Sequence, residues 1–272
     1  MNSTVKRTIF GVLFLAVMLG GLLFNKYLFL VLFSAITGGL VHEFLKLNGI
    51  SRNAGVSVLG ALFFAFCWAL CFGIIVPDAR LVIAVVCAFG VMAGICSLGN
   101  RDLKSWLATA SSVVYIMLPV AILNFLALKG GEFDGRLILA LFIIVWSSDV
   151  GAYCFGMLLG QKLWPAKLCP YISPKKSWAG AIGGMLSTLL AAYLVVRFRL
   201  IGLPLVHVLV MSALMNVAGV CGDLFESVWK RAVGVKDSGN VIPGHGGLLD
   251  RFDAALFAMP IAFLYLLVFE LV

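Results

Sequence analysis

Only twelve acidic residues occur in this chain of 272. Five of them, Asp223, Glu226, Asp237, Asp250 and Asp253, fall within thirty-one positions, with Lys230, Arg231, Lys236 and Arg251 interleaved among them. Alternating signs at this density make neither a basic arm for nucleic acid nor an acidic tail. They suit a site that holds anionic groups and a cation together. Asp223 sits near the end of one apolar span and Asp250 at the start of the next, so both can meet at the boundary, and a pair of carboxylates with no Cys/His set favours a hard cation such as Mg²⁺ over Zn²⁺. Mg²⁺ takes one or two carboxylates and leaves its other positions to water and phosphate oxygens. Lys230, Arg231, Lys236 and Arg251 offer donors to phosphate, the arginines bidentately. Blander roles exist for each: ion pairs among Asp250, Glu226, Asp253 and the nearby bases, or contacts of those bases with lipid headgroups.

Between the charges runs Pro243-Gly244-His245-Gly246-Gly247. Glycines here let main-chain N–H groups approach an anion, and His245 could donate to a phosphate or help transfer a proton. His42 and His207 lack such company and read as structural or interfacial. A second group lies upstream. Trp146-Ser-Ser-Asp149 places a carboxylate about thirteen residues into an apolar run, where an ionised group is costly and a functional candidate by default. A hydrogen-bonded structural role is its alternative. Then comes Ser173-Pro174-Lys175-Lys176-Ser177. Pro174 keeps the segment out of a helix, Ser173 or Ser177 could cap the next one, and a helix start beside two lysines is an anion site. Plain positive-inside charge would also account for Lys175 and Lys176.

What must position these residues is a membrane bundle. The chain is 62% hydrophobic and 12% charged with mean hydropathy +1.11, whereas soluble domains carry roughly 25% charged residues. Its apolar runs are continuous, unlike the alternating segments of a β-barrel. Crossing a hydrocarbon core of roughly 30 Å takes about 20 apolar residues. That ruler gives nine spans, near 8–24, 27–45, 54–76, 80–98, 106–128, 137–159, 177–196, 204–224 and 252–271, so the expected fold is an all-α polytopic helical bundle. Lys6 and Arg7 imitate the start of a signal peptide, but no small-residue cleavage site follows, so the first span is read as retained. The longest polar connections are 160–176 and 225–251. With nine spans, fourteen of the twenty Lys and Arg residues fall on the N-terminal side and six on the other, which places the N terminus and both long connections in the cytoplasm. Seven cysteines without a CxxC pair read as small buried hydrophobes. Residues 1–136 would supply embedding helices and dimer contacts, and 137–272 the catalytic half.

Ser227-Val-Trp-Lys230-Arg231, then Lys236-Asp237-Ser-Gly, then Pro243-Gly-His245-Gly246-Gly247-Leu-Leu-Asp250-Arg251-Phe-Asp253 resembles the signature of the CDP-diacylglycerol synthase, or phosphatidate cytidylyltransferase, family. The match spans 27 positions, with support from Trp146, Asp149 and the segment 173–176. The N-terminal half resembles that family only in being apolar spans. The resemblance implies a homodimeric, Mg²⁺-dependent enzyme of the bacterial inner membrane. It would condense CTP with phosphatidic acid, a membrane lipid, at a cytoplasmic site, releasing pyrophosphate. Asp223 and Asp250 then resemble metal ligands. They join Lys236, Asp237, His245 and Arg251 in the catalytic set. Asp149, Ser173, Lys175, Lys176, Ser227, Lys230, Arg231, Gly246, Gly247 and Asp253 form the substrate-binding set. One departure stands out: where the family usually carries Glu after Ser-Trp, this chain has Ala179. The competing class is a lipid-phosphate or ion transporter, which should show inverted repeats with interrupted helices in both halves; here the polar residues gather in one half.

Overall fold

The computed structural model describes residues 3–50, 54–72, 103–129, 131–160, 165–239 and 246–271. Among them, seven helices are long and apolar enough to cross a membrane, and the apolar stretch Thr8–Leu23 is shorter. The protein is thus a polytopic helical membrane protein. Of the nine expected spans, the one at 80–98 lies outside the described residues, so the described helices number eight rather than nine.

The chain forms two compact units: residues 1–135 with 237–251, and residues 136–236 with 252–272. The first unit contains α1 (Ser3–Leu23), α2 (Lys26–Leu47), α3 (Ala54–Cys71) and α4 (Leu103–Leu126). α2 begins where Asn25 sits in extended conformation and its side chain accepts the N–H groups of Tyr27 and Leu28, two donors a helix start otherwise leaves orphaned. α4 widens into a π-helical turn at Val113–Met117, with Leu118 N–H reaching Val113 O. Pro119 follows at once and has no N–H to give, so the register changes at the residue that cannot donate. Phe29, Phe33 and Phe64 pack with ring centroids 4.8–6.0 Å apart, joined by Phe133 at 5.4 Å from Phe29. In lipid such contacts stabilise through close packing, since the tails are as apolar as the rings. Phe133 lies on β2 (Glu132–Phe133), paired antiparallel with β1 (Leu128–Lys129) in a short hairpin after α4.

The second unit is built on α5 (Arg136–Leu158), α6 (Trp178–Arg197) and α7 (Leu205–Ala232). α5 and α6 run against each other through glycines on both helices; a Cβ on Gly180 would lie 2.9 Å from the Ala152 carbonyl, and one on Gly184 3.1 Å from that of Ser148. α7 is tied to both by Asn216, whose amide donates to Ser148 Oγ at 2.6 Å and Thr188 Oγ1 at 3.1 Å. α8 (Leu249–Val268) starts in the first unit and continues in the second, where Ala254 packs on Gly219. At the far end of α7, His207 Nδ1 and Tyr265 Oη share a hydrogen bond of 3.1 Å, the structural role expected for that histidine.

Three boundaries differ from the sequence reading. α7 does not stop near 224 but runs on to Ala232, because Phe225 to Ala232 contains no glycine or proline and carries an i,i+4 acid–base pair. α8 starts at Leu249, three residues early. The connection 160–176 is partly a hairpin, β3 (Lys167–Cys169) with β4 (Ser173–Ser177). Among the described residues the cysteines also differ: Cys154 and Cys221 are exposed and Cys67, Cys71 and Cys169 half-buried, free thiols on helix or strand faces rather than core fillers, while Cys87 and Cys96 lie outside the described residues.

Candidate active site

In the second unit the helical extension of α7 changes what the charged stretch is. Asp223, Glu226, Ser227, Lys230 and Arg231 sit on a rigid helix at spacings of three and four, which stack side chains along one face. Lys176, on β4, reaches Asp223 with Nζ 2.5 Å from Oδ2, both side chains still partly open to solvent. Ser177 ends β4 and caps α6, accepting the Gly180 N–H at 3.1 Å. Of the two candidate caps it is therefore Ser177, and Ser173 begins the strand. The cap fixes the residue before it, which is Lys176. Ser227 Oγ lies one turn from Asp223, 3.5 Å from Oδ1.

Glu226 is buried to 1% exposure and accepts from Lys230 Nζ at 2.6 Å. Asp253, in the first turns of α8, accepts the N–H of Ala254 at 2.7 Å, and the charges of Asp223, Glu226 and Asp149 all bear on it. Gly222 permits this approach, since a Cβ there would lie 2.6 Å from the Asp253 carbonyl oxygen. Asp149 is exposed on α5. Four carboxylates thus share one region with the ammonium groups of Lys176 and Lys230, an arrangement that draws cations. Arg231 is exposed and donates to the Val235 carbonyl at 2.9 Å, closing the end of α7. Lys175 and Lys236 are exposed.

In the first unit, Asp250 stands in the first turn of α8. Its carboxylate accepts the Gly247 N–H at 2.8 Å and the Ser238 N–H at 3.1 Å. Gly246 has φ +83°, a conformation open to glycine, and a Cβ on it would lie 2.8 Å from Asp250 Oδ2. Gly247 therefore directs its N–H at Asp250. Asp237 and Arg251 are exposed at the two ends of this segment. His245 lies outside the described residues.

One residue was missed. Glu43, on α2, is buried to 3% exposure, and its Oε2 accepts the Leu249 N–H at 2.8 Å and the Ser238 hydroxyl at 3.2 Å. The signal was present: Glu43 is the only acid in the first 77 residues and lies inside an apolar span, the rule that singled out Asp149.

Among the described residues no three His, Cys, Asp or Glu side chains converge as a ready metal cage. The donors present are hard oxygens, the kind Mg²⁺ prefers, and Mg²⁺ uses one or two carboxylates with water and phosphate oxygens completing its shell. Asp223, partly open and held by a displaceable ammonium, and Asp250, oriented by backbone N–H groups, each qualify as such a ligand.

A family model described as "Cytidylyltransferase family" matches residues 5–269. The phosphatidate cytidylyltransferase of Staphylococcus saprophyticus is 33% identical over 267 residues, 95% of this chain and 95% of that protein. That of Rickettsia bellii is 39% identical over 166 residues, covering 57% of this chain and 70% of the relative. The Bacillus subtilis enzyme of the same name is 42% identical over 128 residues, 47% of this chain and 46% of the relative.

Proposed function

The chain belongs to the cytidylyltransferase family, and from that premise we propose that it is a phosphatidate cytidylyltransferase. It condenses CTP with phosphatidic acid to give CDP-diacylglycerol and pyrophosphate. The observation that carries this reading is the end-to-end likeness to a relative bearing that name, 95% of both chains. The clustered acids and ammonium groups of the second unit suit the chemistry.

The lipid phosphate attacks the α-phosphorus of CTP, and pyrophosphate leaves. An ionised phosphomonoester is already a nucleophile, so the protein's task is positioning and electrostatics rather than strong base catalysis. Lys176 and Lys230 are held in place by Asp223 and Glu226 and supply positive charge on rigid elements. Asp223 and Asp250 are the residues assigned to hold Mg²⁺, whose charge offsets that of the phosphates when it is bound. Asp149, Ser173, Ser227, Lys175, Arg231, Lys236, Asp237, Gly246, Gly247, Arg251 and Asp253 complete the site in this reading, with His245. The site faces the cytoplasm of the bacterial inner membrane, in keeping with the excess of bases on that side, and the enzyme works as a homodimer.

The test uses purified protein in detergent with phosphatidic acid and labelled CTP. Label should enter the lipid fraction in a Mg²⁺-dependent way, and Asp223→Asn and Asp250→Asn should each lose at least about 100-fold, the scale of a lost electrostatic contact at a reacting phosphate. No labelled lipid from wild-type protein refutes the activity. Full activity in both variants refutes the metal assignment.

A further inference from the structure

α8 begins with an awkward end. The first four N–H groups of a helix have no partner within it, and the residue before this helix, Leu248, has no side-chain acceptor. Ser, Thr, Asp or Asn would ordinarily stand there. The acceptor comes instead from 206 residues away: Glu43 Oε2 takes the N–H of Leu249, the first helical residue. A carboxylate is the favoured group at this end, because the helix dipole is positive there.

The same oxygen accepts the hydroxyl of Ser238, whose own N–H goes to Asp250. Glu43 therefore touches both segments that orient Asp250, the Ser238 turn and the start of α8. Two glycines close around it. A Cβ on Gly239 would lie 2.6 Å from Glu43 Oε1, and one on Gly247 2.6 Å from Oε2. Oε1 itself is buried and has no hydrogen-bond partner among the described residues. The Ser-Gly and Gly-Gly pairs of the signature stretch are thereby explained as a wrapping around a buried carboxylate from α2.

We propose that Glu43 is a positioning residue of the active site: it caps α8 and anchors Ser238, and through them fixes the direction of the Asp250 carboxylate. The catalytic consequence rests on the cytidylyltransferase reading; the cap does not. Replacing Glu43 with leucine removes both acceptors at similar bulk. Glutamine keeps an oxygen able to take the Leu249 and Ser238 donors.

The experiment is hydrogen exchange by mass spectrometry on full-length wild-type, Glu43→Leu and Glu43→Gln protein in one detergent. Each is also assayed for transfer of labelled CTP to phosphatidic acid. In Glu43→Leu, peptides covering Leu249 and Ser238 should exchange about tenfold faster, the factor expected when a helix cap is lost from a local opening equilibrium, with α5 to α7 unchanged. Its kcat should fall at least about tenfold, since small misplacements of a reacting group are costly. Glu43→Gln should keep most of both. The inference is overturned if exchange in the leucine variant matches wild type, if leucine and glutamine behave alike, or if kcat survives faster exchange. Should Glu43→Leu not yield folded protein, Ser238→Ala removes one of the two donors and leaves the Asp250 contact; a local, smaller rise in exchange supports the linkage, and none overturns it. If wild-type protein labels no lipid, the activity falls while exchange still decides the cap.

Discussion

Lys230 has two possible employments, and one substitution series separates them. Its ammonium lies 2.6 Å from a Glu226 carboxylate that is 1% exposed, while Lys230 itself is 11% exposed. An exposed i,i+4 pair would contribute about 0.3–0.5 kcal/mol. A buried pair broken from one side costs about 3–5 kcal/mol, because a desolvated charge loses its partner. Lys230→Met should therefore lower the melting midpoint by roughly 6–20 °C at about 2–4 °C per kcal/mol. Removing both charges, Glu226→Leu with Lys230→Met, should recover most of that loss, since well-packed apolar residues replace buried ion pairs at little cost. The assay is thermal unfolding in fixed detergent and lipid, read beside CTP-dependent labelling. If Lys230 also contacts substrate, the double variant regains its midpoint but not its activity. A Lys230→Met midpoint within about 2 °C of wild type, or a double variant melting no higher than the single, would refute the burial reasoning.

Other outcomes follow from the same geometry. Asn216→Ala strips the donor from Ser148 and Thr188 and should cost about 1–2 kcal/mol, the range for interhelical hydrogen bonds in membranes, seen as a midpoint lowered by a few degrees with activity retained. Gly247→Ala drives a Cβ to 2.6 Å from Glu43 Oε2 and should cut labelling at least about tenfold; an active alanine variant would mean the loop yields freely. His207→Phe keeps the ring packing and loses only the bond to Tyr265, so activity should be unchanged and stability reduced by about 1 kcal/mol. Chelation of divalent ions should abolish labelling and Mg²⁺ should restore it; activity that persists in excess chelator would exclude the metal from the reaction.

Much of this molecule was written in patterns that sequence rules can read. Apolar runs placed α2, α5 and α6 to within a few residues, because membrane spans depend on length and hydropathy more than on partners. The signature stretch pointed to the family that the chain belongs to, and Ser177, one of two candidate caps, does cap α6. The end of α7 was misjudged because a hydropathy ruler stops at the first charges, while the backbone continues through Glu226 and Lys230, which satisfy each other. Glu43 was passed over for a related reason. The sequence around it carries no motif, and its partners, Ser238 and Leu249, lie 195 and 206 residues away; such pairing is a property of the fold, not of local spacing. Asn216 escaped in the same way, since an amide in an apolar run does not announce which helices it will join.

The reach of Glu43 also sets an order of events for a growing chain. Its carboxylate is made with the second helix, before either donor exists. Until nearly two hundred further residues have been made, that carboxylate has neither the Ser238 hydroxyl nor the Leu249 N–H to accept. The turn around Asp250 can thus take its bonded form only after Ser238 and Leu249 have been made. Chains cut short before Ser238 lack both donors to Glu43 and should be digested by added protease more readily than the full chain.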